Sequence, residues 1–84
     1  MSYSISIKRS AQKSLAGISQ PYRAKIIDQI ENLSDNPRPA TCKKLTGREA
    51  WRIRIGAYRV IYEIKDNQLA IIVVTLGHRR EVYK

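Results

Sequence analysis

The sequence predicts an α+β domain in which two N-terminal helices pack on one face of a small, mostly antiparallel four-stranded sheet. The first observation behind this is the alternation of apolar and charged residues from Trp51 to Tyr62, the period of strands with one buried face. The second is an apolar stripe at helical spacing from Tyr22 to Leu33. The third is the order of the segments, a strand and two helices followed by three strands, which favours two layers.

Length and charge limit what this chain can be. Its 84 residues are enough for one domain, residues 1–84, with a modest core. Sixteen Lys and Arg against seven Asp and Glu give a formal net charge of +9, which favours a polyanionic partner such as nucleic acid or an acidic protein. No apolar run approaches the roughly 20 residues of a membrane-spanning helix, so a membrane is not an expected partner. The single cysteine, Cys42, excludes an internal disulfide and favours a reducing compartment.

The N-terminal segments predict a strand and a first helix. Residues 3–7 alternate between apolar and small polar side chains, which is typical of a short or edge strand. Residues 11–16 predict a helix, with Ser10 as its N-cap and Gly17 at its end.

A longer second helix follows. Pro21 suits its first turn, with a cap near Ser19, and the Asn36–Pro39 segment stops it and starts an extended connection. The apolar stripe expected to pack on the sheet comprises Tyr22, Ile26, Ile27, Ile30 and Leu33.

A hairpin is predicted at the centre of the sheet. Gly56–Ala57 separates two alternating runs, and a glycine in the first position favours a tight turn with positive φ. Folding about this turn makes one apolar face, with Trp51 at the rim of the core. The opposite face, called the arginine face, carries Arg52, Arg54 and Arg59, with Arg54 directly across from Arg59.

The arginine face is interpreted as an anion site. Like charges directly opposite on two strands are destabilising, by some tenths of a kcal/mol up to about 1 kcal/mol. No acidic residue of the hairpin is nearer than Glu63. A basic strand face that is simply solvated is the alternative.

The last strand is predicted at Leu69–Leu76, after a turn at Lys65–Gln68, and its unbroken apolar run is typical of a strand covered on both faces. Pairing Ile64 with Leu69 would leave an apolar strip partly exposed beside the arginines, which a partner protein would cover. The residues expected to contact that protein are Ile61, Ile72, Val74, Arg54 and Arg59.

Two segments resemble the RelE/ParE superfamily of bacterial and archaeal toxins. K-K-L-T-G-R-E-A-W-R-I-R-I-G-A-Y-R-V-I-Y-E-I is similar to the family's Leu-x-Gly turn, aromatic-basic-x-basic strand and Gly-x-Tyr-Arg hairpin, and V-V-T-L-G-H-R-R-E-V-Y is similar to its closing Gly-His-Arg and tyrosine. With the β-α-α-β-β-β order, the resemblance covers nearly the whole chain. It implies a small cytoplasmic toxin neutralised by an acidic antitoxin. Operator DNA is a further expected partner, for the toxin–antitoxin complex.

In the RelE branch, the resemblance implies an endoribonuclease that cuts mRNA in the A site of the 70S ribosome. Such cleavage needs no metal or other cofactor, because the ribose 2′-OH attacks the adjacent phosphate and leaves a 2′,3′-cyclic phosphate. Fixed guanidiniums lower the barrier by stabilising the developing charge, by about 3 kcal/mol for one such donor. The residues that match the catalytic positions are Arg52, Arg54, Arg59, Arg79 and Tyr83.

The sequence leaves two assignments open, the identity of the proton acceptor and that of one site arginine. Arginine is never deprotonated in a protein, so the general base is expected to be Tyr83, His78 or a group of the ribosome. Strict alternation selects Arg80 for the arginine face, whereas the resemblance selects Arg79, and a bulge at Gly77 would reconcile the two. The cations expected to position RNA or the ribosome are Arg38, Lys43, Lys44, Arg48, His78 and Arg80.

Two other functions are compatible with the sequence. One is a ParE-like toxin that poisons DNA gyrase without chemistry of its own, and the other is a basic binding module without toxicity. The strand arginines together with the Gly-His-Arg tail favour the nuclease, since a gyrase poison need not retain them. A DNA-damage response with intact mRNA would favour the ParE-like function.

Overall fold

The computed structural model describes residues 2–78, and these form two helices and a five-stranded mixed sheet. The strands are β1 (Ser4–Ile7), β2 (Lys43–Lys44), β3 (Trp51–Ile55), β4 (Tyr58–Lys65) and β5 (Ala70–His78). The helices are α1 (Arg9–Ala16) and α2 (Tyr22–Asn32), and a 3₁₀ turn (Asp66–Gln68) joins β4 to β5. The predicted α+β class and two-layer arrangement are confirmed. Within residues 2–78, neither helix has the length and apolar character needed to cross a membrane.

The sheet order is β1-β5-β4-β3-β2, with β1 parallel to β5 and the other neighbours antiparallel. The prediction of four strands was wrong by one, because β2 contains only Lys43 and Lys44. Two residues are too few for alternation to show in a sequence. The short strand forms because the backbone N–H of Leu45 donates to the Ala50 carbonyl and closes a turn onto β3. As predicted, the first strand is at an edge.

The predicted serine caps were wrong. Helix α1 begins at Arg9, and Ser10 lies inside it, where its carbonyl accepts a hydrogen bond from Ser14 Oγ at 3.1 Å. The helix starts at Arg9 because only Lys8 separates it from β1. The Lys8 N–H donates to the Val73 carbonyl of the sheet, and the Lys8 carbonyl accepts the first helical hydrogen bond, from the Gln12 N–H. At α2, the Ala24 N–H donates to Gln20 Oε1 at 3.0 Å rather than to Ser19.

One face of the sheet, called the helix face, is covered by α1 over β5 and α2 over β3. From α2, Ile26, Ile30 and Leu33 are buried in the main core as predicted. Tyr22 and Ile27 are not, being 42% and 39% exposed. Successive helical residues point about 100° apart, so a helix that buries Ile26 against the sheet turns Ile27 outward. The predicted stripe was therefore too wide.

The central hairpin has the predicted register. Arg54 pairs with Arg59, and Trp51 pairs with Tyr62. Gly56 has φ +59°, a left-handed conformation that glycine adopts without steric cost. Trp51 is half-buried and packs against the main core, which confirms its position at the rim.

Replacing Gly56 by alanine is expected to lower the free energy of unfolding by about 1–2 kcal/mol, the cost of a left-handed alanine. The new Cβ would also lie 3.3 Å from Tyr22 Cε1, closer than ordinary contact. Gly47 provides a matched control, since it has φ +75° but a Cβ added to it would have no atom within 4 Å. Chemical denaturation should show the larger loss for Gly56→Ala. Equal losses would contradict the packing of Tyr22 on the turn.

The register of β4 with β5 differs from the prediction. Ile64 pairs with Ile71, not Leu69, because Leu69 has φ 50° at the end of the 3₁₀ turn and precedes the strand. Farther along, Ile61 pairs with Thr75 while Tyr62 pairs with Val73, so Val74 is an extra residue in β5. This bulge lies three residues before the predicted position at Gly77.

The bulge reverses the alternation of β5. Before it, Val73 belongs to the main core on the helix face, and after it Leu76 does. Gly77 pairs with Arg59 and so lies at a position of the arginine face. His78 pairs with Tyr58, whose ring packs on the main core, so His78 lies on the helix face. An extra residue of this kind is what a β-bulge contributes, re-aiming the side chains that follow.

Candidate functional site

The arginine face is formed mainly by β3 and β4. The register places Arg54 and Arg59 directly opposite each other on the rung next to the Gly56–Ala57 turn. Arg52 lies two positions earlier on the same face and pairs with Lys43 on its other side. The alternation in the sequence therefore predicted correctly that the three arginines share a face. The structure adds Lys43 to them, through a strand that the sequence did not predict.

The three arginines differ in how deeply they are buried. Arg59 is only 9% exposed, Arg52 is half-buried and Arg54 is exposed. Arg52 Nε is buried and has no hydrogen-bond partner among residues 2–78. A buried guanidinium nitrogen without a partner, as at Arg52, is unfavourable unless it serves a ligand. This face is therefore suited to holding an anion such as a phosphate, which a forked and permanently charged guanidinium binds well.

The apolar strip beside the arginines is less exposed than predicted, because two of its three residues are buried. Ile61 is 2% exposed and Val74 is 9% exposed, and both cluster with Ala50. Leu45 packs against this second small core because the turn that follows β2 folds back onto the sheet. Of the three strip residues, Ile72 is the one that remains partly accessible.

The other predicted RNA-positioning cations are dispersed over the surface. Lys43 lies on the arginine face, whereas Lys44 points the other way and its Nζ is 3.3 Å from Glu49 Oε1. Arg48 is exposed in the turn between β2 and β3. Arg38 stacks over Trp51, with 5.0 Å between its Cζ and the ring centroid, at the rim of the helix face. Lys43 therefore belongs to the arginine face, whereas Lys44 and Arg38 do not.

Arg38 belongs to a polar network that joins the α2–β2 connection to the β4–β5 turn. Its guanidinium donates to Asp66 at 2.9 Å, and the Tyr3 hydroxyl donates to the same carboxylate at 2.8 Å. The Arg38 hydrogen bond lowers the pKa of Asp66, and the bond to Asp66 raises the pKa of Tyr3. Because the Asp66 pKa is lowered, its contribution to stability is present above the ordinary value of 3.8 and is lost as the pH falls through the lowered pKa.

His78 does not lie with the arginines. Its ring contacts Tyr58 edge-on at a centroid distance of 6.0 Å, on the helix face. Tyr22 also contacts Tyr58, at 5.6 Å. The sequence carries no local signal of this aromatic group, because the bulge that reverses the alternation before His78 lies in an unbroken apolar run. The predicted site residues Arg79, Arg80 and Tyr83 lie outside the described residues.

The chain matches the family model described as the ParE toxin of the type II toxin–antitoxin system, parDE, over residues 5–83. It is 31% identical over 88 residues to the RelE1 protein of Methanocaldococcus jannaschii, covering 100% of this chain and 98% of that protein. A RelE-like toxin protein of Escherichia coli is 25% identical over 81 residues, covering 94% of this chain and 85% of that protein.

Solved structures show the same fold. The archaeal RelE–RelB complex from Pyrococcus horikoshii contains a chain with 26% identity and a TM-score of 0.84, covering 94% of this chain and 97% of that one. The RelBE2 toxin–antitoxin complex of Mycobacterium tuberculosis has a TM-score of 0.82 at 22% identity, with coverage of 94% and 100%, and shows the fold alone. The family match and the 31% identical relative together decide the family. This chain belongs to the RelE/ParE superfamily of toxins of type II toxin–antitoxin systems.

Proposed function

We propose that this toxin is a cytoplasmic endoribonuclease that cleaves mRNA in the A site of the ribosome. The observation that carries the proposal is the arginine face, where Arg54 and Arg59 oppose each other and the half-buried Arg52 is on the same side. Opposed guanidiniums repel each other, whereas both attract an RNA phosphate and the further negative charge that develops on it in the transition state. The similarity to RelE proteins supports the same activity.

The proposed reaction is an internal transesterification. The 2′-oxygen of the ribose forms a bond to phosphorus, the bond from phosphorus to the 5′-oxygen breaks, and the 5′-oxygen leaves with the electron pair and takes a proton. The product is a 2′,3′-cyclic phosphate. Negative charge grows on the non-bridging oxygens at the pentavalent phosphorus, and Arg54 and Arg59 are the side chains proposed to stabilise it. Their planar fork and permanent charge suit them to this role and exclude them as bases.

We also propose which group accepts the 2′-OH proton and which further arginine binds the phosphate. His78 lies on the helix face, which does not favour it as the acceptor of the 2′-OH proton. We therefore assign this role to Tyr83 or a ribosomal group. Because the bulge reverses the alternation of β5, Gly77 lies at a position of the arginine face. Strand residues two apart share a face, which supports Arg79 rather than Arg80 as the further phosphate-binding arginine.

A ParE-like function is the second candidate, because the matching family model is described as a ParE toxin. Such a toxin would poison DNA gyrase by binding alone. Brief induction in cells followed by primer extension on a translated mRNA separates the two. The nuclease proposal predicts new 5′ ends within the reading frame, in phase with codons, and none when translation is blocked. Intact mRNA with an induced DNA-damage response would overturn it in favour of the ParE-like function.

We also propose that the antitoxin places acidic residues on the arginine face and an apolar side chain on Ile72. The similar structures named as toxin–antitoxin complexes support such a partner. Ile72→Asp should weaken co-purification of the antitoxin encoded beside the toxin, since a carboxylate would face that apolar contact. Ile27→Asp is the control, because Ile27 is an exposed isoleucine on α2. Unchanged binding by Ile72→Asp would contradict this contact.

A further inference from the structure

Three rings lie in contact on the helix face at the turn end of the hairpin. Tyr58 contacts both of the others, Tyr22 at a centroid distance of 5.6 Å and an interplanar angle of 50°, and His78 at 6.0 Å and 82°. We call these three residues the ring ladder. Lys25 Nζ lies 5.7 Å from the Tyr22 ring centroid, which adds a cation to one end of the ladder.

The ladder is accessible although it borders the core. Tyr22 is 42% exposed, His78 is exposed and Tyr58 is half-buried. The close approach of Tyr22 to Gly56 fixes its position, since even a methyl group on Gly56 would lie 3.3 Å from the ring. The rings are thus held by packing while part of their surface faces solvent.

The ladder and the phosphate-binding arginines are near neighbours in the sheet. Tyr58 belongs to the rung beside the turn, and Arg54 with Arg59 forms the next rung, about 3.4 Å away along the strands but facing the opposite side. The two sites are thus on opposite faces of the sheet, and an RNA strand that contacts both must pass around the Gly56–Ala57 turn.

We propose that the ring ladder stacks a base of the single-stranded RNA that continues beyond the phosphate bound by Arg54 and Arg59; this rests on the function proposed above. Aromatic faces accept any unstacked base, which is how proteins commonly hold single-stranded RNA. Lys25 lies where it can attract the backbone of the same nucleotide.

The charge around the ladder favours RNA over an acidic or apolar peptide. Two cations, Arg23 and Lys25, belong to the helix that carries Tyr22, and Lys25 Nζ lies 5.7 Å from the Tyr22 ring centroid. A nucleotide satisfies both features of the surface, since its base covers the rings and its phosphate meets the cations. A peptide would need an aromatic or apolar anchor and acids at the same spacing.

Photo-crosslinking with a short single-stranded oligouridylate that carries 5-iodouridine tests the proposal, because this base crosslinks to aromatic residues on which it stacks. Mass spectrometry should locate the crosslink on Tyr22, Tyr58 or His78. Tyr22→Ala should weaken binding of the same oligonucleotide about tenfold, the factor expected when one base stack is lost. Tyr22→Phe, which keeps the ring, and Ile27→Ala, which changes an exposed residue of the same helix, should bind as the wild type does.

Crosslinks confined to residues outside the ladder, or equal binding by Tyr22→Ala and Tyr22→Phe, would overturn the proposal, as would failure of the oligonucleotide to bind. Primer extension with the wild-type toxin reports separately on mRNA cleavage. A toxin that cleaves in the reading frame without a ladder crosslink would retain the proposed function and lose only the stacking site. If a protein captured from cells protects the ladder and RNA does not, the surface binds a peptide instead.

Discussion

Replacing Arg59 by alanine is expected to reduce mRNA cleavage on purified ribosomes by about 10²–10³-fold, the loss seen when one donor to a developing oxyanion is removed. Arg59 is the most buried of the three strand arginines, at 9% exposure, so its guanidinium is held in a fixed position. A charge that is already fixed in place stabilises the transition state more than one that must be ordered during the reaction. The rate should be measured in single turnover with excess toxin.

Two variants make this result interpretable. Arg59→Lys keeps the charge but loses the fork, so it should restore the rate only in part. Arg9→Ala removes an exposed arginine from α1, on the other side of the sheet, and should cleave at the wild-type rate. Circular dichroism would establish that each variant is folded. Full activity of Arg59→Ala would refute the nuclease mechanism proposed for the arginine face.

Replacing Ile26 by alanine is expected to lower the free energy of unfolding by about 2–5 kcal/mol, the usual cost of truncating a fully buried isoleucine. Ile26 is 0% exposed and packs in the main core between α2 and the sheet. Its neighbour Ile27 is 39% exposed, so Ile27→Ala should change stability by no more than about 0.5 kcal/mol. Urea denaturation of the three proteins measures both values.

The adjacent pair is a sharp comparison because the same atoms are removed from the same helix. Helix propensity changes equally in both variants, so any difference reports burial alone. Similar losses for the two variants would mean that α2 is rotated about its axis relative to this structure. Such a rotation would also move Tyr22 away from Gly56.

The central hairpin was predictable because its signals are local. A glycine between two alternating runs fixes the turn, and the turn fixes which residues face each other, down to the pairing of Arg54 with Arg59. The arginine face followed from the same alternation. For this part of the molecule, neighbouring residues in the sequence carry nearly all of the information.

The errors arose where distant segments decide the outcome. The strand β2 forms where a turn closes it onto β3, and Ile61 is buried in a cluster against which Leu45 packs from that turn. The extra residue at Val74 has no signature in an apolar run, yet it changes the face on which His78 lies. The ring ladder was missed for this reason. The proposed roles of Arg79 and Tyr83 stay predictions.

The parallel pairing of β1 with β5 has a consequence for folding during synthesis. The first strand to be made hydrogen-bonds with the last of the described strands, which is also next to the central strand of the sheet. In a nascent chain, β1 therefore lacks its pairing partner, and α1 lacks the strand that it covers, until β5 emerges. Contacts that join such distant parts of a sequence form late and slowly. The toxin domain thus acquires its complete sheet only after β5 has been synthesised.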